Sequence, residues 1–129
     1  MSYDVIVLGG GPAGMSAALN VLSRGRSALV VSNPLQENPL WQAEKVDNHL
    51  GMPAQSGAEM LTNLRRHAED AGVAFREGRV VSAMALADTW YVSIGAEMET
   101  ASALVLASGV LRGRKFPGEA EFLGRGVSY

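Results

Sequence analysis

Residues 5–25 read VIVLGGGPAGMSAALNVLSRG, and this stretch decides the fold. The run Tyr3–Leu8 is rich in β-branched and apolar residues, which is typical of a strand buried on both faces of a parallel sheet. Three glycines interrupt it, and Ala13–Arg24 is rich in Ala, Leu and Met with Gly25 just past its end. Pro12 stands at a first helical position, where a missing N–H costs nothing. The stretch predicts a strand, a glycine turn and a helix.

A second apolar strand follows this helix at Ser27–Val31, so residues 3–31 form a complete βαβ unit. Residues 33–55 contain three prolines and show no period, which predicts a long irregular loop. The next helix has both ends marked, because Ser56 and Glu59 form a capping-box pattern and Gly72 closes the segment.

The remaining segments predict more strands. Val73–Arg76 reads as a short strand, and residues 79–86, 90–94 and about 97–101 read as an antiparallel meander. Ala103–Ala107 returns as a buried strand. This order of elements predicts an α/β fold with a parallel central sheet and an antiparallel β-meander crossover.

Composition limits the class of function. The chain has 129 residues, 47% of them hydrophobic and 19% charged, which fits one globular domain. A formal net charge of -2 gives no basic field for nucleic acid or an anionic membrane. No apolar run approaches the roughly 18 residues of a membrane helix, and the first one feeds a glycine loop, so we expect a soluble, cytoplasmic protein. Without cysteine, these residues hold no disulfide, thiolate metal site or cysteine nucleophile.

The glycine loop is the first chemical feature. In G-x-G-x-x-G, Gly9 permits a tight exit from the strand, Gly11 lets backbone approach a pyrophosphate, and Gly14 lets the helix pack closely on the sheet. The free N–H groups and the positive dipole end of the helix favour the anion there. The motif follows a strand and opens a helix, so it predicts a Rossmann-like site for a dinucleotide.

The end of the second strand departs from the usual pattern. An acidic residue commonly holds the ribose hydroxyls at this point, whereas this sequence has Ser32 and Asn33 before Pro34. A hydroxyl and an amide can still bind a ribose, but Ser-Asn-Pro is equally typical of a turn. Glu37 is a weaker candidate further along the loop. The missing carboxylate argues mildly against NAD as the primary ligand.

Five segments, in order, resemble the thioredoxin-reductase-like flavoproteins of the pyridine-nucleotide disulfide oxidoreductase superfamily. One of them, LVLASG at 104–109, resembles the family's strand ending in Ala-Thr-Gly. Another, PGEAEFLGRGVSY at 117–129, resembles the run that directly precedes the family's Cys-x-x-Cys. The segments are GGGPAG at 9–14, VDNHLGMP at 46–53, SGAEML at 56–61, LVLASG at 104–109 and PGEAEFLGRGVSY at 117–129. The resemblance implies a Rossmann-like FAD/NAD(P)-binding domain, with FAD as the bound cofactor.

The resemblance also implies roles for single residues. Ser32 and Asn33 occupy positions where some members have a small hydroxyl residue and glycine. Asn48 would contact the flavin side of the cofactor, and Val81 would flank the adenine. The FAD pyrophosphate would be held by Gly9, Gly11, Pro12, Ala13 and Gly14, and the cofactor would pass close to Ala107, Ser108 and Gly109. His49-Leu50 replaces the family's aromatic-Pro pair and Ser108 replaces its Thr, so the shape of the flavin pocket differs. No catalytic or metal-binding residue is predicted.

The implied activity belongs to a longer protein. Electrons in the resembled enzymes pass from NAD(P)H through FAD to a disulfide. Residues 1–129 are expected to be the N-terminal portion of the FAD-binding domain, with the NADPH domain, the redox dithiol and the rest of the FAD domain outside them. By resemblance the parent is a homodimer acting on a thioredoxin-like protein or a small disulfide, and the 129-residue chain alone is expected to be inactive.

Two other functions remain open. One is a flavoprotein reductase without the dithiol, which reduces ferredoxin or a small molecule instead. The other is a non-catalytic nucleotide-binding module that keeps the fold, and it predicts a colourless protein whose stability does not respond to FAD.

Overall fold

The computed structural model of the chain describes residues 2–110, 117–122 and 124–126. The last family-like segment, 117–129, therefore lies partly outside the described residues, at Leu123 and at 127–129. No helix within the described ranges is long and apolar enough to cross a membrane. In chain order the elements there are β1 (Ser2–Leu8), α1 (Pro12–Leu22), β2 (Ala28–Ser32), two short 3-10 helices (Leu35–Glu37 and Pro39–Gln42), α2 (Gly57–Asp70), β3 (Ala74–Glu77), β4 (Val80–Leu86), β5 (Thr89–Ile94), β6 (Glu97–Leu106) and α3 (Glu119–Phe122).

Six strands of the described chain form one sheet in the order β3-β2-β1-β6-β5-β4. The first four are parallel to one another, and β5 and β4 run antiparallel to their neighbours. The predicted parallel centre and antiparallel meander are therefore present in a single sheet. The meander is not a separate layer of strands, because β6 belongs to both parts.

The last strand differs from the sequence prediction. Residues 97–101 and 103–107 were expected as separate strands, whereas Glu97–Leu106 is one continuous strand. Its first half pairs with β5 as far as Ala101, and from Thr100 onward it pairs with β1. The second half was expected to be buried. Among the described strands only β1 pairs with it there, and Leu106 remains 74% exposed.

Alternate residues of β1 and β2 supply two hydrophobic clusters, one on each face of the sheet. The helix-side cluster lies under α1 and α2, and the meander-side cluster lies under β5. The helix-side cluster consists of Val7, Met15, Ala18, Ala28, Val30, Leu61, Ala68 and Val73, and the meander-side cluster of Ile6, Leu29, Val31, Val92, Ile94 and Ala101. Both faces of β1 and β2 are covered, as their apolar sequences predicted.

The predicted capping box fixes the start of α2. The Ser56 hydroxyl accepts from the Glu59 N–H at 3.1 Å, and the Glu59 carboxylate accepts from the Ser56 N–H at 2.9 Å. Gly57 follows the cap and lies against the Leu40 carbonyl, where a Cβ would overlap the backbone. The loop 33–55 is thereby held against α2. It is less irregular than predicted, because it contains two 3-10 helices and a bridge between Val46 and Gln55.

Asp4 and Ser27 join the starts of β1 and β2. The Asp4 carboxylate accepts from the Ser27 N–H at 2.7 Å and from its hydroxyl at 2.9 Å, while the Asp4 N–H donates to the same hydroxyl oxygen at 2.8 Å. The Ser27 backbone N–H, followed by the Ser27 hydroxyl, holds the pKa of the Asp4 carboxyl below its usual value, with a smaller contribution from Arg26.

A cluster of charged side chains links β3 to β6 across the meander-side face of the sheet. Arg76 on β3 forms ion pairs with Glu97 and Glu99 on β6, although β2 and β1 separate these strands in the sheet. The contact requires the sheet to curl until the meander lies over β1 and β2. The Glu99 side chain is only 11% exposed, whereas that of Glu97 is 66% exposed, so the pair with Glu99 is the less screened of the two.

We expect Asp4 to make the stability of the fold depend on acid pH. A carboxyl whose pKa is lowered by folding stabilises the native state above its unfolded pKa, and this stabilisation is lost as the pH falls through the lowered value. The melting temperature of the wild type should therefore fall more steeply than that of Asp4→Asn between about pH 5 and pH 2. Parallel curves for the two proteins would contradict this expectation.

Arg76→Met should destabilise the fold by about 2 kcal/mol, because it leaves the largely buried Glu99 carboxylate without the guanidinium. The matched control is Glu97→Gln, which removes the exposed partner and should cost less than about 1 kcal/mol. Urea unfolding followed by circular dichroism measures both. Equal losses for the two variants would show that burial of Glu99 does not matter.

Candidate functional site

The carboxyl ends of β1, β2 and β6 meet at one edge of the sheet. β1 lies between β2 and β6, so the chain order reverses there, and in open α/β sheets this switch point is where ligands bind. Backbone hydrogen bonds continue past the strand ends: the Gly9 N–H donates to the Val31 carbonyl at 2.9 Å, and the Ala107 N–H donates to the Leu8 carbonyl at 2.8 Å. Three strand ends are thus held together around the glycine loop.

The glycines of this loop are required by close backbone packing. Gly9 has φ of +119°, and a Cβ on it would overlap the Ala107 carbonyl group. A Cβ on Gly14 would overlap the Gly9 carbonyl, so the first turn of α1 lies directly on the loop. A Cβ on Gly10 would lie 2.6 Å from the Ser32 hydroxyl oxygen. The loop is therefore packed against β6, α1 and the end of β2 at the same time.

The N-terminus of α1 leaves backbone donors available. Gly11 is the N-cap and has no side chain, so no side-chain cap exists, and Pro12 occupies the first helical position. Met15 donates the first helical bond, to the Gly11 carbonyl at 3.0 Å. Ala13 and Gly14 lie before it, where an α-helix has no internal acceptors for its N–H groups. The first turn carries no acidic residue. This end of the helix suits an anion such as a diphosphate.

Ser32 ends β2, where its side chain packs on Gly10 and its carbonyl accepts from the Gly78 N–H at 2.9 Å. Asn33 is exposed and directly follows it. Ser32 therefore lies beside the glycine loop, and the ribose role of Ser32 and Asn33 stays a prediction. Glu37 lies in the first 3-10 helix and is exposed.

The other residues predicted to bind the cofactor differ in their contact with the glycine loop. Ala107 contacts the loop, and Ser108 and Gly109 continue from it as exposed residues. Asn48 is exposed in the loop closed by the Val46–Gln55 bridge, and within the described residues its side chain makes no hydrogen bond. Val81 is 69% exposed at a register irregularity of β4, on the segment that follows β3. The exposed Val81 side chain is therefore accessible to the adenine ring that the sequence analysis predicts there.

Asn38 lies beside the glycine loop, a placement that the sequence analysis did not predict. Its side-chain nitrogen lies 3.0 Å from the position that a Cβ on Gly11 would occupy. Its side-chain oxygen accepts from the Leu40 N–H at 2.9 Å and caps the second 3-10 helix. Asn followed by Pro is a pattern for a helix start, and this signal at Asn38-Pro39 could have identified the cap. The close approach to Gly11 could not be read from sequence.

Among the described residues, the polar groups assembled at the site are backbone N–H groups, the Ser32 hydroxyl and the Asn38 amide, all of which can form hydrogen bonds with a ligand. Across 2–110, 117–122 and 124–126, no cluster of three or more His, Asp or Glu side chains could hold a metal ion. The arrangement can hold a diphosphate and orient the groups attached to it.

Comparison with known proteins agrees with this geometry. The family model for an FAD binding domain matches residues 4–41, which include most of β1, the glycine loop, α1, β2 and Asn38. A thioredoxin reductase from Aquifex aeolicus is 37% identical over 130 residues, covering 98% of this chain. The structure of a thioredoxin reductase from Gloeobacter violaceus superposes with a TM-score of 0.82 at 35% identity over 99% of the chain. A ferredoxin-flavin thioredoxin reductase from Clostridium acetobutylicum superposes with a TM-score of 0.82 at 31% identity over 98% of the chain.

These relatives are longer proteins. The chain covers 40% of the Aquifex protein and 43% and 44% of the two structures. The predicted resemblance to thioredoxin-reductase-like flavoproteins is confirmed over nearly the whole chain. The Rossmann-like α/β fold is confirmed as well.

Gly14→Ala should abolish FAD binding, because its new Cβ would overlap the Gly9 carbonyl and force α1 away from the loop. A suitable control is Gly25→Ala, which has φ of +71° but open space around it, so it should lose only about 1–2 kcal/mol of stability. Flavin fluorescence titration of both variants measures the difference. Normal FAD binding by Gly14→Ala would contradict the close packing seen here.

Proposed function

We propose that this chain is the FAD-binding part of a flavin-dependent oxidoreductase that resembles thioredoxin reductase. The observation that carries the proposal is the glycine loop, whose positions without Cβ bring α1, β2 and β6 together around free N–H donors. In the longer protein, electrons pass from NAD(P)H through FAD to a disulfide.

The residues present fit an FAD diphosphate. The N–H groups of Ala13 and Gly14 would donate to it, and Gly11, which has no Cβ, would let it approach the backbone. Gly9 and Pro12 fix the path of the backbone, Gly9 through its left-handed φ and Pro12 through its restricted φ. The bound FAD supplies two-electron redox chemistry, and the chain's own contribution is to hold and orient it.

Ser32 and Asn33 take the ribose side in this proposal. Their hydroxyl and amide groups stand where a carboxylate commonly binds the ribose hydroxyls, at the end of β2. On the other side of β1, Ala107, Ser108 and Gly109 line the path toward the flavin. By the same resemblance, Asn48 would contact the flavin side of the cofactor and Val81 would flank the adenine.

The acceptor is proposed from the relatives. The Aquifex and Gloeobacter proteins are thioredoxin reductases, and this chain has no cysteine, so the dithiol that would exchange with a disulfide lies in other residues of the parent. A thioredoxin-like protein or a small disulfide is the proposed partner. We further propose that residues 1–129 are the N-terminal portion of the FAD domain and that the parent is a cytoplasmic homodimer.

A second candidate keeps the flavin and changes its electron partner. The similarity to the Clostridium ferredoxin-flavin thioredoxin reductase favours an exchange with ferredoxin instead of NAD(P)H. The two candidates differ in which reductant bleaches the flavin band of the complete protein, NAD(P)H or reduced ferredoxin.

The proposed function predicts a yellow protein. After incubation with FAD and gel filtration, the purified chain should retain equimolar flavin, and excess ADP should displace it because ADP carries the same diphosphate. FMN, which lacks the diphosphate and the adenosine, should not be retained. If the chain retains no flavin, the complete parent protein is tested in the same way, and a folded parent that neither retains flavin nor melts at a higher temperature with FAD would contradict the proposal.

A further inference from the structure

We propose that the side-chain amide of Asn38 is a direct hydrogen-bond donor to the diphosphate of the bound nucleotide. This inference rests on the proposed function, because it adds a ligand to the same site. It assigns to the loop after β2 a part in diphosphate binding in addition to its proximity to the ribose.

The orientation of this amide follows from its other contact. The Leu40 N–H points at one side-chain atom of Asn38 at 2.9 Å, and a donor there requires that atom to be the oxygen. The remaining atom, Nδ2, is therefore the one that faces Gly11. Its two N–H groups make no hydrogen bond within the described part of the chain, so they are available to a ligand.

The position of Nδ2 places it beside the other donors. It lies 3.0 Å from the point that a Cβ on Gly11 would occupy, and Gly11 is the N-cap of α1. The free N–H groups of Ala13 and Gly14 belong to the same first turn. Gly11 has no Cβ between its backbone and Nδ2. A ligand bound at the N-terminus of α1 would therefore also lie close enough to accept a hydrogen bond from Nδ2.

Asn38 is rigidly held before any ligand arrives. Its own N–H donates to the Leu35 carbonyl at 3.0 Å, and its carbonyl accepts from the Trp41 N–H at 2.9 Å. Leu35, Leu40 and Trp41 pack against the helix-side cluster. With its backbone and side-chain oxygen already fixed, the amide loses little conformational entropy on binding.

Capping alone does not require an amide at this position. Aspartate caps a helix as well as asparagine, since only the oxygen accepts from the backbone. The difference between them is the second atom, which donates in asparagine and carries negative charge in aspartate. Beside a diphosphate the first stabilises the ligand and the second repels it.

The test uses two substitutions that keep the cap and remove the donor. Asn38→Asp retains the acceptor for the Leu40 N–H and replaces Nδ2 by a carboxylate oxygen. Asn38→Ser retains a capping hydroxyl without adding charge. Gln36→Glu is the matched control, because it adds the same charge to an exposed position of the same loop. FAD and ADP affinities are measured by fluorescence and calorimetry, together with the melting temperature without ligand.

We expect Asn38→Asp to weaken both FAD and ADP by about tenfold or more, and Asn38→Ser by roughly threefold or more, since each loses a hydrogen bond to a charged group. FAD and ADP should weaken by the same factor because they share the diphosphate. Gln36→Glu should bind within about twofold of wild type because its added charge stands at an exposed position, where water and salt screen it. Melting temperatures without ligand should match the wild type.

The possible outcomes distinguish failure of the Asn38 proposal from failure of the proposed FAD-binding function. If the wild type binds FAD and ADP and both Asn38 variants bind equally well, the inference is wrong and the proposed function stands. If Asn38→Asp and Gln36→Glu weaken binding alike while Asn38→Ser does not, the effect is general charge and the inference is again wrong. If neither the folded chain nor the folded parent protein binds either ligand, the proposed function fails and the inference fails with it. If a variant melts lower, its affinity is compared at a temperature where it is fully folded.

Discussion

The close approach of three backbone segments at the end of β1 is the constraint on which the site depends. The carbonyl of Gly9 lies under the first turn of α1 at Gly14, and Gly9 itself lies against the Ala107 carbonyl. No side chain fits at either contact, so α1 and the end of β6 both converge on the same short loop. Because the contacts are between backbone atoms, their geometry does not depend on side-chain rotamers, and the N–H groups of α1 are aimed before a ligand binds.

The curvature of the sheet is linked to β6, which pairs with two different strands. It pairs with β5 in its first half and with β1 in its second, and Arg76 joins β3 to the first half across the sheet face. The curl brings Val92 and Ile94 over β1 and β2, which completes the burial of the strands that carry the loop.

Much of this arrangement could be predicted from sequence because its signals are local. The βαβ unit, the capping box at Ser56 and the glycine loop each depend on residues a few positions apart. The continuity of β6 could not be predicted, since Ser102 interrupts its apolar pattern and only pairing with β1 keeps the strand extended. Asn38 was missed for the same reason: its cap is a local feature, but its approach to Gly11 depends on the packing of Leu40 and Trp41 against the core.

The chemistry of the loop also shows how an acidic chain can hold an anion. The net charge is -2, and none of the described hydrogen bonds or ion pairs brings Lys or Arg to the glycine loop. Within the described residues, the groups at the loop that can attract an anion are oriented dipoles: the N–H groups at the start of α1 and, in our proposal, the amide of Asn38. Such donors act over short distances and in fixed directions, so they favour a ligand with oxygens in the right places over anions in general. The donors described at the loop are uncharged, so their selection of a diphosphate would rest on geometry, whereas a basic patch selects by charge.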